Sequence, residues 1–522
     1  MNAIELSVFA SRMAAICDEM GAVLKCAAFS PNIKDRLDFS CALFDRHGQL
    51  AAQAAHIPVH LGSMAYAMAD IVGEIEWRPG DMVVLNDPYL GGTHLPDVTV
   101  IAPVFVAQTL VGFVANRAHH ANIGADSPGS MPISRSLEEE GVVIAPTLLV
   151  KHGQPVEAVL RKLCGTDTNA NHTIAARGDF AAQISACRLG AERLAARIES
   201  LGASAYGLAL DSLNDYAERL AREALRAIPD GDYSFTDFMD DDGLGLEDIP
   251  IAVSLSVRDG QVVADFSGTA RQVPGNINCP LSVAAASVFY VLRCLMPEHT
   301  PACAGSFRPI QLSAPAGSMV NARRPAAVAA GNVETSTRMV DALLGALASA
   351  LPERIPAASS GSMNNLAMGA AATAARGRWD YYETNGGGMG AGRNGGGLSG
   401  VQTHMTNTLN TPIESLETHY PLRITRYALR RGSGGAGERC GGDGLIREYE
   451  FLAPAQVTLL TERRRHAPWP LAGAEPGLRG ENLLNGDPLP AKVSLHVETG
   501  DRLTLATAGG GGWGRPQPQR KD

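Results

Sequence analysis

The segment NDPYLGGTHLPD, residues 86–97, sets His94 and Asp97 three positions apart, just after the pair Gly91-Gly92. An imidazole nitrogen and a carboxylate oxygen at that spacing can close on one divalent ion of the Zn, Mn or Fe kind from a tight turn. Two further stretches carry the same donor types. RAHHANIGADSPGS adds His119 and His120 side by side, and SPNIKDRLDFS adds Asp35 and Asp38. Neighbours on a strand face opposite ways, so only one of the two histidines can reach a given ion. The competing reading is plain: His and Asp are common in loops, and an HxxD pair is more often a set of locally satisfied side chains than a ligand set. Asp87, in the same segment, is assigned to capping the turn at Pro88.

These residues must be brought together by elements that the apolar pattern outlines. Residues 4–27 have helical spacing through Ile4, Val8, Ala15, Met20 and Leu24. DFSCALFDRHGQLAAQ alternates as a hairpin with its turn at Asp45–Gly48. HLGSMAYAMADIVGEI reads as a second helix, GDMVVLNDPY as a strand, and VTVIAPVFVAQTLVGFVANRAHH as two buried strands. The His- and Asp-rich stretches therefore fall at strand ends, where loops gather functional side chains. From about 170 to 228 the pattern is helical, and IPIAVSLSVRDGQVVADFSGTARQ then forms a hairpin turning at Asp259-Gly260. Two later helices follow, and the tail from 430 is β-like.

The expected fold class is α+β: a mixed multi-domain chain with a metal-bearing N-terminal α/β region, a long helical segment, and β-rich central and C-terminal regions. The regions are read as 1–228, 229–430 with a Gly-rich loop, and 431–522. A chain of 522 residues is long enough for two to three cores. Aromatic content is only 5 %, so packing leans on Ala, Val, Leu and Ile. The 56 glycines cluster, most densely in ETNGGGMGAGRNGGGLSG. The composition is usual for flexible linkers, yet the 359–400 stretch that holds it is threaded with Trp379, Tyr381, Tyr382, Glu383 and Asn385, and a loop over the site or at a subunit contact is the alternative. A net charge of -10 and dispersed basic residues argue against nucleic acid. The one basic run, TERRRHAP, reads as a solvated edge. Nine scattered cysteines without a CxxC pair point to reduced thiols in the cytoplasm. No apolar run has the length of a membrane span, and the N-terminus reads as an amphipathic helix.

Several long blocks closely resemble the hydantoinase B / 5-oxoprolinase family. They are SPNIKDRLDFSCALFDRHGQLAAQAAHIPVHLGSM, NDPYLGGTHLPDVTVIAPVF, RAHHANIGADSPGSMP, VADFSGTARQVPGNINCP, AAGNVETSTRMVDALLGAL and SGGAGERCGGDGLIREYEF. The resemblance implies an ATP-dependent hydrolase acting on C–N bonds of small cyclic amides such as hydantoins, 5-oxoproline or lactams. It implies work in a hetero-oligomer with an A-type subunit that binds ATP and Mg. A related branch carboxylates acetone or acetophenone, and a scaffold subunit with a structural metal is a third possibility. Carried over position by position, the resemblance puts a divalent metal (Zn, Mn or Fe) on Asp35, His94, Asp97 and His119. Asp35 stands where the family more often has Glu, one methylene longer. Asp38 and His120 are the candidates for orienting a ligand or assisting catalysis from beside the ion. Cys440 stands where the family usually has Arg.

The chain has no phosphate loop of its own. GGGMGAGRNGGG lacks the Lys and the strand-to-helix setting that such a loop requires. Asn332, Glu334 and Thr335, with Glu414 and Glu417, are either substrate or interface groups, or helix caps and solvated faces.

Overall fold

The computed structural model describes residues 2–54, 56–165, 171–372 and 377–516. Helix α1 (Ala3–Ala27) starts at a capping box, in which Asn2 and Glu5 each satisfy the other's backbone amide. Its inward face is Phe9, Met13, Cys17, Met20 and Leu24, one residue per turn. The single turn α2 (Pro31–Lys34) and α3 (Pro58–Gly73) both begin on proline, whose missing N–H costs nothing there.

The N-terminal region is built on a seven-stranded sheet. Its strands are β1 (Phe39–Asp45), β2 (Leu50–Gln53), β3 (Met82–Leu85), β4 (Asp97–Val106), β5 (Thr109–His119), β6 (Thr147–Lys151) and β7 (Gln154–Pro155). They lie in the order β2-β1-β5-β4-β3-β6-β7, and all the pairings are antiparallel. Helix α4 (Glu157–Cys164) follows, then the long pair α5 (Asn171–Leu201) and α6 (Ala203–Leu225). Helices α1 and α5 pack with one face of the sheet, through Leu43, Val100, Val114, Phe180 and Leu194 among others. Met64, Met68 and Val72 of α3 cover the other, against Phe44, Ile101 and Phe113. Cover on both faces explains why β4 and β5 read as continuous apolar runs rather than alternating ones.

The helical segment ends at Leu225, and β8 (Gly231–Asp241) begins a four-stranded sheet with β9 (Glu247–Arg258), β10 (Gln261–Asp265) and β11 (Ile310–Ser313). The expected hairpin turn at Asp259-Gly260 joins β9 to β10. Helices α7 (Leu281–Cys294) and α8 (Ser336–Ala350) supply Val283, Val288, Met339 and Leu343 to the core over this sheet, which also takes in Ile57, Val59 and Leu460 from outside it. A third sheet pairs β12 (Asn365–Ala370) with β13 (Trp379–Glu383), β16 (Ala455–Leu460) and β19 (Lys492–Val497). A fourth holds β14 (Leu422–Arg430), β15 (Gly444–Phe451), β17 (Glu481–Leu484), β18 (Asp487–Leu489) and β20 (Arg502–Ala506); the short α9 (Ile413–His419) precedes it. The chain is thus α+β, with its strands in four separate sheets. The nine cysteines are free thiols, and no described helix is long and apolar enough to cross a membrane.

Two readings of the sequence are corrected. The Gly-rich 385–400 stretch does not behave as a linker; its backbone is packed against other backbone. Gly388 donates to the carbonyl of Ala508, Ala391 to Gly511, Gly397 to Cys440, and Gly442 returns a bond to Met389. A Cβ on Gly388 would lie 2.0 Å from the Gly442 carbonyl oxygen, and one on Gly510 2.0 Å from that of Met389. Composition could not distinguish this lattice from a linker, because both require residues without side chains. The TERRRHAP run is not a solvated edge either. Arg463 is fully buried between Asp237 and Asp341, and Arg464 is inserted between Asn364 and Asn482; only Arg465 reaches the surface acids Glu247 and Asp248.

Candidate metal centre

Sheet register places three of the implicated residues in one row. Asp97 opens β4 directly opposite His119, the last residue of β5. The amide of His119 in turn donates to the carbonyl of Asp38, one residue before β1. His94 joins from the turn before β4, held by a bond from the Asp97 amide to its carbonyl. Gly91, with φ +87, ends the preceding Pro88–Leu90 turn in the left-handed region and lets the chain fold back so that His94 meets Asp97. Asp87 caps that turn through the Tyr89 amide, as expected, and pairs with Arg324.

Asp97 is the hub. Its Oδ1 lies 3.2 Å from His94 Nε2 and 3.3 Å from His119 Nδ1. Its Oδ2 accepts from Thr93 Oγ1 at 2.5 Å and Asn332 Nδ2 at 3.2 Å, and lies 3.1 Å from His60 Nε2. His94, Asp97 and His119 are all buried, and each offers a ligand atom within 4.8 Å of the others. The Nε2 of His94, Oδ1 of Asp97 and Nε2 of His119 have no hydrogen-bond partner although they are sealed from solvent. Leaving buried polar atoms unmade costs about 1–3 kcal/mol each, so three together call for a group that engages them. Two imidazoles and a carboxylate suit a divalent cation of the Zn, Mn or Fe class.

The charge pattern is divided: burial pulls His94 down, but Asp97 outweighs it and raises the imidazole above its usual range, so a cation would have to displace its second proton. Burial pushes the Asp97 carboxyl up, but the facing His60 and His94 outweigh it and hold it well below the usual carboxylate range. Burial pulls His119 down, toward the neutral ring that a metal ligand needs.

The fourth position falls differently from the residue carried over by resemblance. Asp35 sits half-buried at the C-terminus of α2, its amide bonded to the Pro31 carbonyl and its charge felt by Tyr420. Leu37 then takes a left-handed φ of +57, and the chain turns so that Asp38, not Asp35, is the acid beside the His94–Asp97–His119 group, though outside the set whose ligand atoms converge. The Asp38 carboxylate lies 3.7 Å from Arg36, 3.9 Å from His60 and 4.0 Å from His119. His120 is also relocated. As strand alternation requires, it turns away from His119: its Nε2 is 2.9 Å from Gln183 Oε1 and its ring packs on Phe180 of α5. It belongs to the sheet–helix contact.

Sequence reasoning missed His60, on the first turn of α3. The sequence reading begins that helix at His60, two residues inside its Pro58 start, but nothing in spacing ties position 60 to position 97. Asn332 does join the site, from a π-helical turn, Gly331–Thr335, that precedes α8; such turns recur at functional positions. Tyr382 of β13 stacks on His119 with centroids 4.8 Å apart and planes 8° from parallel, and Arg36 lies over its ring. A small cavity opens beside the cluster, lined by Asp38, His60, His119, Asn332, Tyr382 and Thr384 among others. Thr335 bonds the Ile277 carbonyl, Glu334 bonds Met363 and Asn365, and Glu417 caps Ile424; none enters the cluster. Glu414 is exposed on α9, and Cys440 is exposed on the glycine lattice.

Comparison with known proteins agrees with this architecture. The family model for hydantoinase B/oxoprolinase matches residues 2–516. The chain belongs to that family. It is 39 % identical over 551 residues to 5-oxoprolinase 1 of Arabidopsis thaliana, covering 98 % of this chain but only 42 % of the plant protein. It is 30 % identical over 544 residues to the B-type chain of a putative D-/L-hydantoinase from a Pseudomonas species, covering 99 % of this chain and 90 % of that one. Among solved structures, the ATP-dependent caprolactamase of Pseudomonas jessenii superposes with a TM-score of 0.90 at 28 % identity, over 99 % of this chain and 92 % of that one.

Proposed function

We propose that this chain is the metal-binding component of an ATP-dependent cyclic-amide hydrolase, working in a hetero-oligomer with an ATP-binding partner. The observation that carries the reading is the buried His94–Asp97–His119 group, with unpartnered ligand atoms beside a cavity, in a family whose relatives carry oxoprolinase, hydantoinase and caprolactamase names. An adjoining cavity suits chemistry better than a purely structural metal, which closes its coordination with protein atoms. The chain lacks a phosphate loop, so ATP and Mg are assigned to the partner.

Amide resonance makes a lactam or hydantoin carbonyl a poor electrophile, and phosphorylation of its oxygen on the partner would relieve that. His94, Asp97, His119 and Asp38 would hold the cation, which supplies Lewis acidity for activating water. Thr93 and Asn332 anchor Asp97 so that its other oxygen stays aimed at the histidines. Tyr382 fixes the plane of the His119 ring. His60 lines the cavity with Nε2 toward Asp97 and Nδ1 3.4 Å from Ser40 Oγ. A proton on its Nε2 stands where it can pass to the ring nitrogen as the C–N bond breaks.

The test is co-expression with an ATP-binding A-type subunit, followed by ATP hydrolysis and ring opening against 5-oxoproline, hydantoins, lactams and ketones. ATP-dependent opening of at least one cyclic amide is expected. Bicarbonate-dependent ketone consumption with every cyclic amide inert would overturn the reading in favour of a carboxylase. In the active complex at saturating metal, His60→Gln is expected to lower kcat by about 10²–10⁴, as for loss of a general acid. Full turnover in that variant would remove His60 from the mechanism.

A further inference from the structure

Glu140 is fully buried at the end of the short turn Leu137–Glu140, more than 40 positions along the chain from His94. Its carboxylate makes no ion pair among the described residues. One oxygen, Oε1, instead accepts three hydrogen bonds: from Ser134 Oγ at 2.7 Å, the Val328 amide at 2.7 Å and the Ala329 amide at 2.9 Å. The same Ala329 residue presents its carbonyl to His94 Nδ1 at 3.1 Å. A carbonyl can only accept, so that contact requires the proton on Nδ1. The lone pair offered to a cation would then be the one on Nε2, the atom that faces Asp97 and has no other partner.

We infer that Glu140 is a positioning residue for the metal centre: it clamps the Val328-Ala329 backbone so that the Ala329 carbonyl fixes the tautomer and ring plane of His94. The Val328 and Ala329 amides have Glu140 as their shared acceptor, while the rest of the segment is tied elsewhere: the Ala326 carbonyl by Tyr89 Oη at 2.7 Å, the Val328 carbonyl by the Gly331 amide, and the Ala330 amide by the Asn276 carbonyl. Without the carboxylate, two adjacent buried amides lose their acceptor, and the Ala330–Asn276 bond is left to hold the Ala329 carbonyl on His94. The bond that sets the donor atom of His94 would then loosen. A carboxylate that reaches a ligand histidine through the backbone of one residue, from its amide to its carbonyl, is an indirect form of the outer-ligand support common around metal ions. This inference rests on the metal reading proposed above.

Zinc and manganese binding to the purified full chain tests it without reference to activity. Competition with a chromophoric chelator gives the affinity, and thermal melts with and without metal give the metal-induced rise in Tm. Glu140→Ala is expected to weaken metal binding by about 100-fold and Glu140→Gln, which keeps an acceptor but buries an NH2 where Oε2 has no partner, by about 10-fold, the range seen for outer partners of ligands. The metal-induced rise in Tm should shrink in step, since it follows the ratio of metal concentration to Kd. A merely structural role lowers Tm equally with and without metal and leaves affinity intact. Wild-type affinity in Glu140→Gln overturns the inference, even if Glu140→Ala fails to fold. Failure of the wild-type chain to bind either metal overturns both this inference and the metal reading, and so is distinguishable from failure of the inference alone.

Discussion

Alanine at Asp97 is expected to strip divalent metal from the chain and reduce coupled ring opening to background. Asp97 supplies the carboxylate oxygen nearest both His94 and His119, and its second oxygen is the shared acceptor for Thr93 and Asn332. Loss of an outer partner already costs about 10–100-fold in metal affinity, so loss of the hub ligand should cost no less than about 100-fold. His94→Ala should behave in the same way. The pair Asp38→Asn and Asp35→Asn separates the fourth position read from structure from the one carried over by resemblance. Asp38→Asn should lose metal, because its carboxylate lies within 4.0 Å of His119. Asp35→Asn should retain it, because Asp35 caps α2 and faces Tyr420. Elemental analysis of the purified variants, with ATP-dependent turnover of the co-expressed complex, checks all four. Full metal content and full activity in Asp97→Ala would sink the metal centre altogether.

Asp38 shows where sequence reasoning stops. The donor types, the HxxD spacing and the His pair are all local, and each was legible. So was the alternation rule that separates His119 from His120. Register is not local: that Asp97 faces His119, and that Asp38 extends the row, depends on how β1, β5 and β4 align. Choosing between Asp35 and Asp38 depends on a single left-handed residue, Leu37, a type that gives no sign of it in sequence. His60 and Glu140 were hidden for a related reason, since each acts across the fold through a contact that has no spacing signature. The elements themselves were easier. Helices with one apolar residue per turn and hairpins with Asp-Gly turns announce themselves through periodicity and punctuation, whereas the glycine lattice and the arginine run were misread because composition does not report burial.

That arginine run carries the largest expected effect on stability. Arg463 is fully buried, with its guanidinium 2.5 Å from Asp341 and 2.9 Å from Asp237. Burial alone would pull its pKa down, but Asp237 and Asp341 outweigh that and keep the guanidinium charged. Arg338, the second cation of the cluster, is engaged elsewhere, 3.4 Å from Asp237 and 3.3 Å from Glu462. Arg463→Met keeps much of the volume but strips the buried Asp341 carboxyl of its guanidinium, leaving His404 Nε2, 3.7 Å away, as its basic neighbour. Breaking a buried pair from one side costs about 3–5 kcal/mol, because the stranded charge keeps its desolvation penalty. Arg465→Met, two residues on, removes a solvent-screened surface pair with Glu247 and Asp248 and should leave the midpoint nearly unchanged. Adding Asp341→Asn to Arg463→Met should recover part of the loss, since the carboxylate no longer needs a counter-charge. Urea denaturation of the three variants decides the matter: equal midpoints for Arg463→Met and Arg465→Met would mean that the buried cluster contributes nothing beyond what the exposed pair does.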